Sequence, residues 1–204
     1  MKRIVVAGSI LVDKINAISA YPKAGELTKI KSVSLAVGGC VPNVAIDLAI
    51  LGGNEISACG SVGKDAEGDF AINEMRRRGV NTEFVTAIEN EKTSFTEVMS
   101  VTGGERTFFT YPGASANFGY DETPLEEMQA DMLHLGYFLL LDKVDAGDAF
   151  CAGALCGIAE GMSDKELLTF SAAVAATSLS AENASDGIKS RTDTVEFMKT
   201  LKTR

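Results

Sequence analysis

The residues of this chain best suited to chemistry lie in Asp142-Lys143-Val144-Asp145-Ala146-Gly147-Asp148-Ala149-Phe150. An apolar run, Met132 to Leu141, precedes them and reads as a buried strand; Cys151 to Glu160, small and apolar, reads as a helix. A strand that feeds a tight turn at Gly147 and then a helix aims free backbone N–H groups and the positive helix end at one spot. Such a spot suits a phosphate. Asp148 stands too close to it to ligate an anion, so its carboxylate fits a base that takes a proton from an attacking hydroxyl. The competing reading makes Asp148 a helix cap, a position where Asp is favoured.

The elements that must place this stretch read as alternating strands and helices. Ile4 to Ala7, ending at Gly8-Ser9, has the pattern of a central parallel strand. Ile56 to Cys59 is a second core strand, ending in a flexible loop, Gly60-Ser61-Val62-Gly63, and Phe84 to Ala87 is a third. Asn43 to Leu51 has helical spacing and closes at Gly52-Gly53. Asp65 caps a helix that runs to Arg78 and stops at Gly79, which puts the basic run Arg76-Arg77-Arg78 where cations offset the dipole. Thr123-Pro124 starts another helix, Ser163-Asp164-Lys165-Glu166 is a capping box for a long one, and Thr192 to Leu201 is a last one. Asp13 follows the end of the first strand. Ligands gather there in open α/β sheets, which places Asp13 to hydrogen-bond a polyol.

Residues 14 to 36 alternate weakly around the turn Tyr21-Pro22-Lys23-Ala24-Gly25. Thr93 to Ser100 and Arg106 to Tyr111 flank Thr102-Gly103-Gly104-Glu105 as a hairpin, followed by a turn at Tyr111-Pro112-Gly113-Ala114. Both regions suit a small, partly exposed sheet. His134 lies inside an apolar strand and reads as a hydrogen-bonded core residue.

Three of these stretches resemble the motifs of the ribokinase-like (PfkB) carbohydrate kinases, in the family's order. Asp-x-x-x-Ala-Gly-Asp-Ala-Phe is similar to the C-terminal signature, and Gly60-Ser61-Val62-Gly63-Lys64-Asp65-Ala66-Glu67-Gly68 to the N-terminal one. Gly38-Gly39-Cys40-Val41-Pro42-Asn43 resembles the family's glycine pair followed by a sugar-contacting Asn. The resemblance implies one α/β domain over residues 1–204, a Rossmann-like, mostly parallel sheet flanked by helices, with a small β lid made of strands within 13–36 and 93–111. It implies transfer of the γ-phosphate of ATP, with Mg²⁺, to a hydroxyl of a sugar. Asp148 would be the base, and the backbone N–H groups of Ala146, Gly147 and Asp148 would hold the transferred phosphate. Asp13, Gly38, Gly39 and Asn43 would place the sugar, and Asn183 and Ala184 would lie beside the adenine. Lid sheets with an apolar face and open edges pair between subunits, so a homodimer through the lid is expected.

The sequence departs from the family at two points. Asp142 follows Leu141 directly where family members carry further βα units; at about 30 residues per unit, roughly three are missing. The family's Asn-x-x-Glu element belongs in that gap and occurs nowhere in this chain. Asp145 stands where the family has Gly or Ala, and a carboxylate there repels an incoming phosphate. A working kinase, a kinase-derived protein that binds a sugar or only dimerises, and a kinase sequence stripped of an internal segment all remain open.

The net charge of −9 argues against nucleic acid or an anionic membrane as partner. The start, Met1-Lys2-Arg3, is basic, but Ile4 to Leu11 is too short and glycine-interrupted for a signal peptide, and no run has the length of a membrane span. Cys40, Cys59, Cys151 and Cys156 lie in apolar surroundings with no Cys-x-x-Cys spacing, which fits buried thiols in a cytoplasmic protein.

Overall fold

The computed structural model describes residues 1–101, 103–118, 125–136, 145–178 and 186–199. Strand β1 (Arg3–Ala7) is buried at Ile4, Val5, Val6 and Ala7 without alternation, as expected of a strand covered on both faces. It pairs in parallel with β4 (Glu55–Gly63) on one side and β8 (Met132–Leu135) on the other. Strand β5 (Asn81–Ile88) adds in parallel to β4, giving the order β5-β4-β1-β8. A second sheet has the order β3-β2-β6-β7, from β2 (Leu11–Ile18), β3 (Ile30–Gly38), β6 (Ser94–Val101) and β7 (Arg106–Tyr111). There β2 runs antiparallel to β3 and parallel to β6, while β6 and β7 form the antiparallel hairpin.

Helices α1 (Cys40–Leu51), α2 (Ala66–Arg77), α4 (Asp145–Glu160), α5 (Asp164–Ser178) and α6 (Arg191–Met198) flank the first sheet, and α3 (Leu125–Met128) is a single turn. The main core joins Ile4, Val6, Ile56, Ala58 and Val62 from the strands to Val44, Leu48, Cys156, Phe170 and Val174 from α1, α4 and α5. Each large apolar side chain buried there contributes about 1.5–3 kcal/mol. Val5, Ala7 and Cys59 face the other way, against Met128, Phe84 and Phe118. The α/β architecture expected from the sequence is present.

Several local expectations change. Gly60 to Gly63 is not a loop: it continues β4 and pairs with Val85 to Ile88 of β5. The chain is already helical at Asp145, six residues before its apolar run begins, so Gly147 lies inside α4 rather than in a turn before it. The turn after β7 is a 3₁₀ helix, Gly113–Asn117. In β8, read as a buried strand, Leu133 is 39% exposed, because among the described residues β8 pairs on one side only. Residues 136 to 141 of that run, apart from Gly136, lie outside the described residues, as do Thr123 and Pro124.

Caps fall where the sequence put them. Asp65 accepts the Gly68 N–H at 2.8 Å, and at α5 Glu166 Oε2 accepts the Ser163 backbone N–H at 3.1 Å, the Glu half of the capping box, and also the Ser163 hydroxyl at 2.6 Å. The four cysteines are free thiols. Among the described residues no helix is long and apolar enough to cross a membrane.

Candidate functional site

Three of the expected sugar-side residues meet where β3 ends. Gly38 pairs with Leu11, and Asp13 lies two residues further along β2, on the same face by strand alternation. A β-carbon on Gly38 would stand 2.5 Å from Asp13 Oδ2 and 2.8 Å from Leu11 Cδ1. The carboxylate therefore rests on the Gly38 backbone, and only glycine leaves it that place. Gly39 is the N-cap of α1 with φ 90°, in the left-handed region. A β-carbon there would lie 2.6 Å from the Ser9 carbonyl oxygen.

Ser9 builds the junction, a role that the sequence did not signal. Its carbonyl accepts the Val41 N–H at 3.1 Å, and its Oγ accepts the Cys40 N–H at 3.4 Å. Gly39 has no side chain with which to cap α1, so Ser9 satisfies first-turn donors that would otherwise be orphaned. Pro42 follows in the same turn at no cost in hydrogen bonds, and Asn43 is 8% exposed just behind it. Asp13, Gly38, Gly39 and Asn43 are thus gathered around the entry to α1.

The phosphate-side residues occupy the first turn of α4. Ala146, Gly147 and Asp148 all lie in the first described turn of this helix. Asp148 is inside the helix, so it is not the cap.

Both helices begin beside the same end of the first sheet. A β-carbon on Gly136, just past β8, would lie 2.7 Å from Cys40 Sγ at the first residue of α1. Cys151 Sγ, in the second turn of α4, lies 3.9 Å from both ring nitrogens of His134 in β8. His134 is half-buried, and burial holds its imidazole below the ordinary histidine value. Asn183 and Ala184 lie outside the described residues. Among the described residues, no group of three or more His, Cys, Asp or Glu could hold a metal ion.

The sequence matches the pfkB family of carbohydrate kinases over residues 1–145, a match that ends three residues before Asp148. It is 30% identical over 143 residues to probable fructokinase-5 of Arabidopsis thaliana, covering 69% of this chain and 43% of that protein. It is 33% identical over 88 residues to a Lactococcus lactis ribokinase, covering 43% of this chain and 29% of that protein. The chain thus spans less than half the length of these two relatives. Among solved structures it is similar to the Methanocaldococcus jannaschii nucleoside kinase, with TM-score 0.78 and 14% identity over 98% of this chain and 99% of that one. The Arabidopsis thaliana ribokinase solved with ribose and ATP also gives TM-score 0.78, with 18% identity over 97% of this chain and 99% of that one. At these identities the structures show the fold alone.

Proposed function

Because this chain belongs to the pfkB family of carbohydrate kinases, we propose that it moves the γ-phosphate of ATP to a hydroxyl of a sugar. The observation that carries this reading is the convergence of the two helix starts. The α1 entry, with Asp13 over Gly38, and the first turn of α4 stand at the same end of one parallel sheet. Asp13 and Asn43 would hold sugar hydroxyls, and Asp148 would take the proton of the attacking one. The backbone N–H groups of Ala146, Gly147 and Asp148 would face the phosphate being transferred. Relatives of this fold were solved with ribose and ATP and with ADP, which supports the nucleotide. Mg²⁺ would arrive on the nucleotide's phosphates.

A second reading, a sugar-binding protein without transfer, is favoured by Asp145, whose charge opposes the phosphate, and by the absent Asn-x-x-Glu element. Calorimetry with a panel of sugars and with MgATP, followed by ADP release from mixtures, separates the two. Sugar-dependent ADP release that Asp148→Asn abolishes supports the kinase. Sugar uptake with no heat from MgATP establishes the second reading instead. A dimer fits the second sheet: Val33, Leu35 and Phe109 share one face by register and are 50–63% exposed, apolar area fit to cover a second copy's lid. Four free thiols suit a reducing, cytoplasmic setting.

A further inference from the structure

The notch where α1 and α4 begin holds two sulfurs and an imidazole that the reaction above does not use. Cys40 Sγ, on the first residue of α1, sits between the ends of β1 and β8. A β-carbon on Gly8 would stand 2.9 Å from it and one on Gly136 would stand 2.7 Å away, so both strand ends are glycine where this sulfur lies. The same β-carbon position on Gly136 is 3.6 Å from His134 Nε2. Cys151 Sγ closes the group from α4, 3.9 Å from Nε2 and from Nδ1. Ser9 Oγ, 3.3 Å from Cys40 Sγ, can donate its hydroxyl proton to that sulfur.

These two thiols differ from the other two. Cys40 and Cys151 are half-buried, whereas Cys59 and Cys156 are buried and burial raises both. Cys59 faces the opposite side of the first sheet, beside Val5 and Ala7, and Cys156 Sγ meets Glu160 Oε1 at 3.7 Å. His134, in register with Val6, turns its ring to the helix layer. Burial keeps that ring neutral near neutral pH, the form that accepts a proton.

We propose that Cys40 and Cys151 are a peroxide-reactive thiol pair, with His134 as the base and a Cys40–Cys151 disulfide as the product. His134 takes the Cys151 thiol proton, and the thiolate sulfur attacks one oxygen of hydrogen peroxide. The O–O bond breaks, and the leaving hydroxide departs with that proton as water. The Cys40 sulfur then attacks the Cys151 sulfenic acid; the S–S bond forms, the S–O bond breaks, and a second water leaves with the Cys40 proton. Two electrons pass from the two thiols to one peroxide. The product ties the residue after Gly39 to the residue one helical turn beyond Asp148. A sulfur–sulfur bond is about 2.05 Å long, so forming it displaces the two helix starts, and displacements of about 1 Å at a reacting centre cost up to about 10²-fold in rate. That consequence rests on the kinase reading; the thiol chemistry is a property of the chain.

The full chain, reduced and then treated with hydrogen peroxide at about pH 7, tests this by alkylation and peptide mass spectrometry. The intact mass should fall by two hydrogens, with Cys40 and Cys151 in one cross-linked peptide that dithiothreitol opens. Cys59 and Cys156 should still alkylate after unfolding. In Cys40→Ser the reaction should stop at a Cys151 sulfenic acid that dimedone traps. His134→Gln, which keeps a polar side chain, should slow the loss of thiol about tenfold or more. Single oxidation of Cys40 and Cys151 without a cross-link, a bond through Cys59 or Cys156, or a bond between two chains overturns the pair. A His134→Gln rate equal to wild type overturns the base. With sugar and MgATP, the cross-linked wild type should release ADP about tenfold more slowly than the reduced one, and Cys151→Ser should keep its own rate through the treatment. Cross-linked protein that turns over at the reduced rate overturns the effect on transfer. A reduced wild type that releases no ADP sinks the kinase reading, and the cross-link still decides the pair.

Discussion

Replacing Gly38 with alanine asks whether the carboxylate above it grips the ligand. The new methyl would fall 2.5 Å from Asp13 Oδ2 and 2.8 Å from Leu11 Cδ1, both ends of side chains. Gly38 is not among the positive-φ glycines, so alanine fits its backbone. The fold can absorb the methyl by turning those two side chains aside, at about 1–2 kcal/mol, the low end of the overpacking range. The turned carboxylate loses a charge-assisted bond to a sugar hydroxyl, worth about 1.5–3 kcal/mol. Sugar affinity should therefore fall about tenfold to a hundredfold while the protein remains folded. Calorimetry with the sugar that the wild type prefers reads the first quantity, and urea melts read the second. Asp13→Ala sets the ceiling of the loss, and Asp13→Ala with Gly38→Ala should lose no more than Asp13→Ala alone, since both act on one group. Undiminished affinity in Gly38→Ala would refute the assignment of Asp13 to the ligand. Equal further loss in the double variant would refute the route through Asp13.

Gly39→Ala should behave differently, because φ 90° and a backbone oxygen 2.6 Å away leave nothing to turn aside. A loss of about 2 kcal/mol or more in urea melts is expected, and a melt like that of Gly38→Ala contradicts it. Asp148→Asn should slow phosphoryl transfer about 10²- to 10⁴-fold with sugar affinity retained, in a coupled ADP assay; equal turnover removes Asp148 as the base. Burial raises the Asp65 carboxyl, but the Thr93 hydroxyl and the Thr93 and Gly68 N–H groups outweigh it and hold it below the usual value. Its stabilisation is then complete above pH of about 4 and lost as acid titrates the folded carboxylate. His134, held low by burial, costs stability earlier, as pH drops below about 6.5 and the unfolded imidazole protonates first. Melts that do not weaken between pH 7 and 5 in wild type, relative to His134→Gln, count against that burial. Burial pushes Cys59 up to about 11, and burial with Glu160 pushes Cys156 up to about 12. Alkylation at pH 8 read by mass spectrometry should label Cys40 and Cys151 first; early labelling of Cys59 is the contrary result.

The order of strands and helices was legible because continuous apolar runs and helical spacing are local signals. Ile4 to Ala7 and Phe70 to Arg78 each carry their own. The Gly60–Gly63 segment misled because a glycine cluster normally marks a turn. Here the glycines serve contact within a strand: a β-carbon on Gly60 would lie 2.7 Å from Gly8 O, and one on Gly63 would lie 2.4 Å from Thr93 N. The start of α4 misled for a related reason, since Asp-Ala-Gly-Asp offers two caps and a breaker before the apolar run. Ser9, Thr93 and Ser115 were illegible because their partners lie 31, 28 and 105 residues away. Hydroxyls in loops announce no such partner.

On the proposed reading, binding and transfer would be housed on different parts of this structure. Asp13 rides on the second sheet, whose β6 begins at the Asp65–Thr93 socket, while Ala146 to Asp148 belong to a helix packed against α1 and α5. A chain that keeps the β2–β3–α1 junction and the socket would then keep the sugar side, whatever becomes of the nucleotide side. The family match over residues 1–145 covers that junction and socket and stops at the first residue of α4. Substitutions at Asp13 and Gly38 should therefore move sugar affinity alone, and substitutions at Asp145 and Asp148 should move transfer alone. If Asp145→Gly raises ADP release without altering sugar affinity, the charge at the start of α4 is what restrains the reaction. If it changes neither, the restraint lies in the sequence elements that separate this chain from its longer relatives.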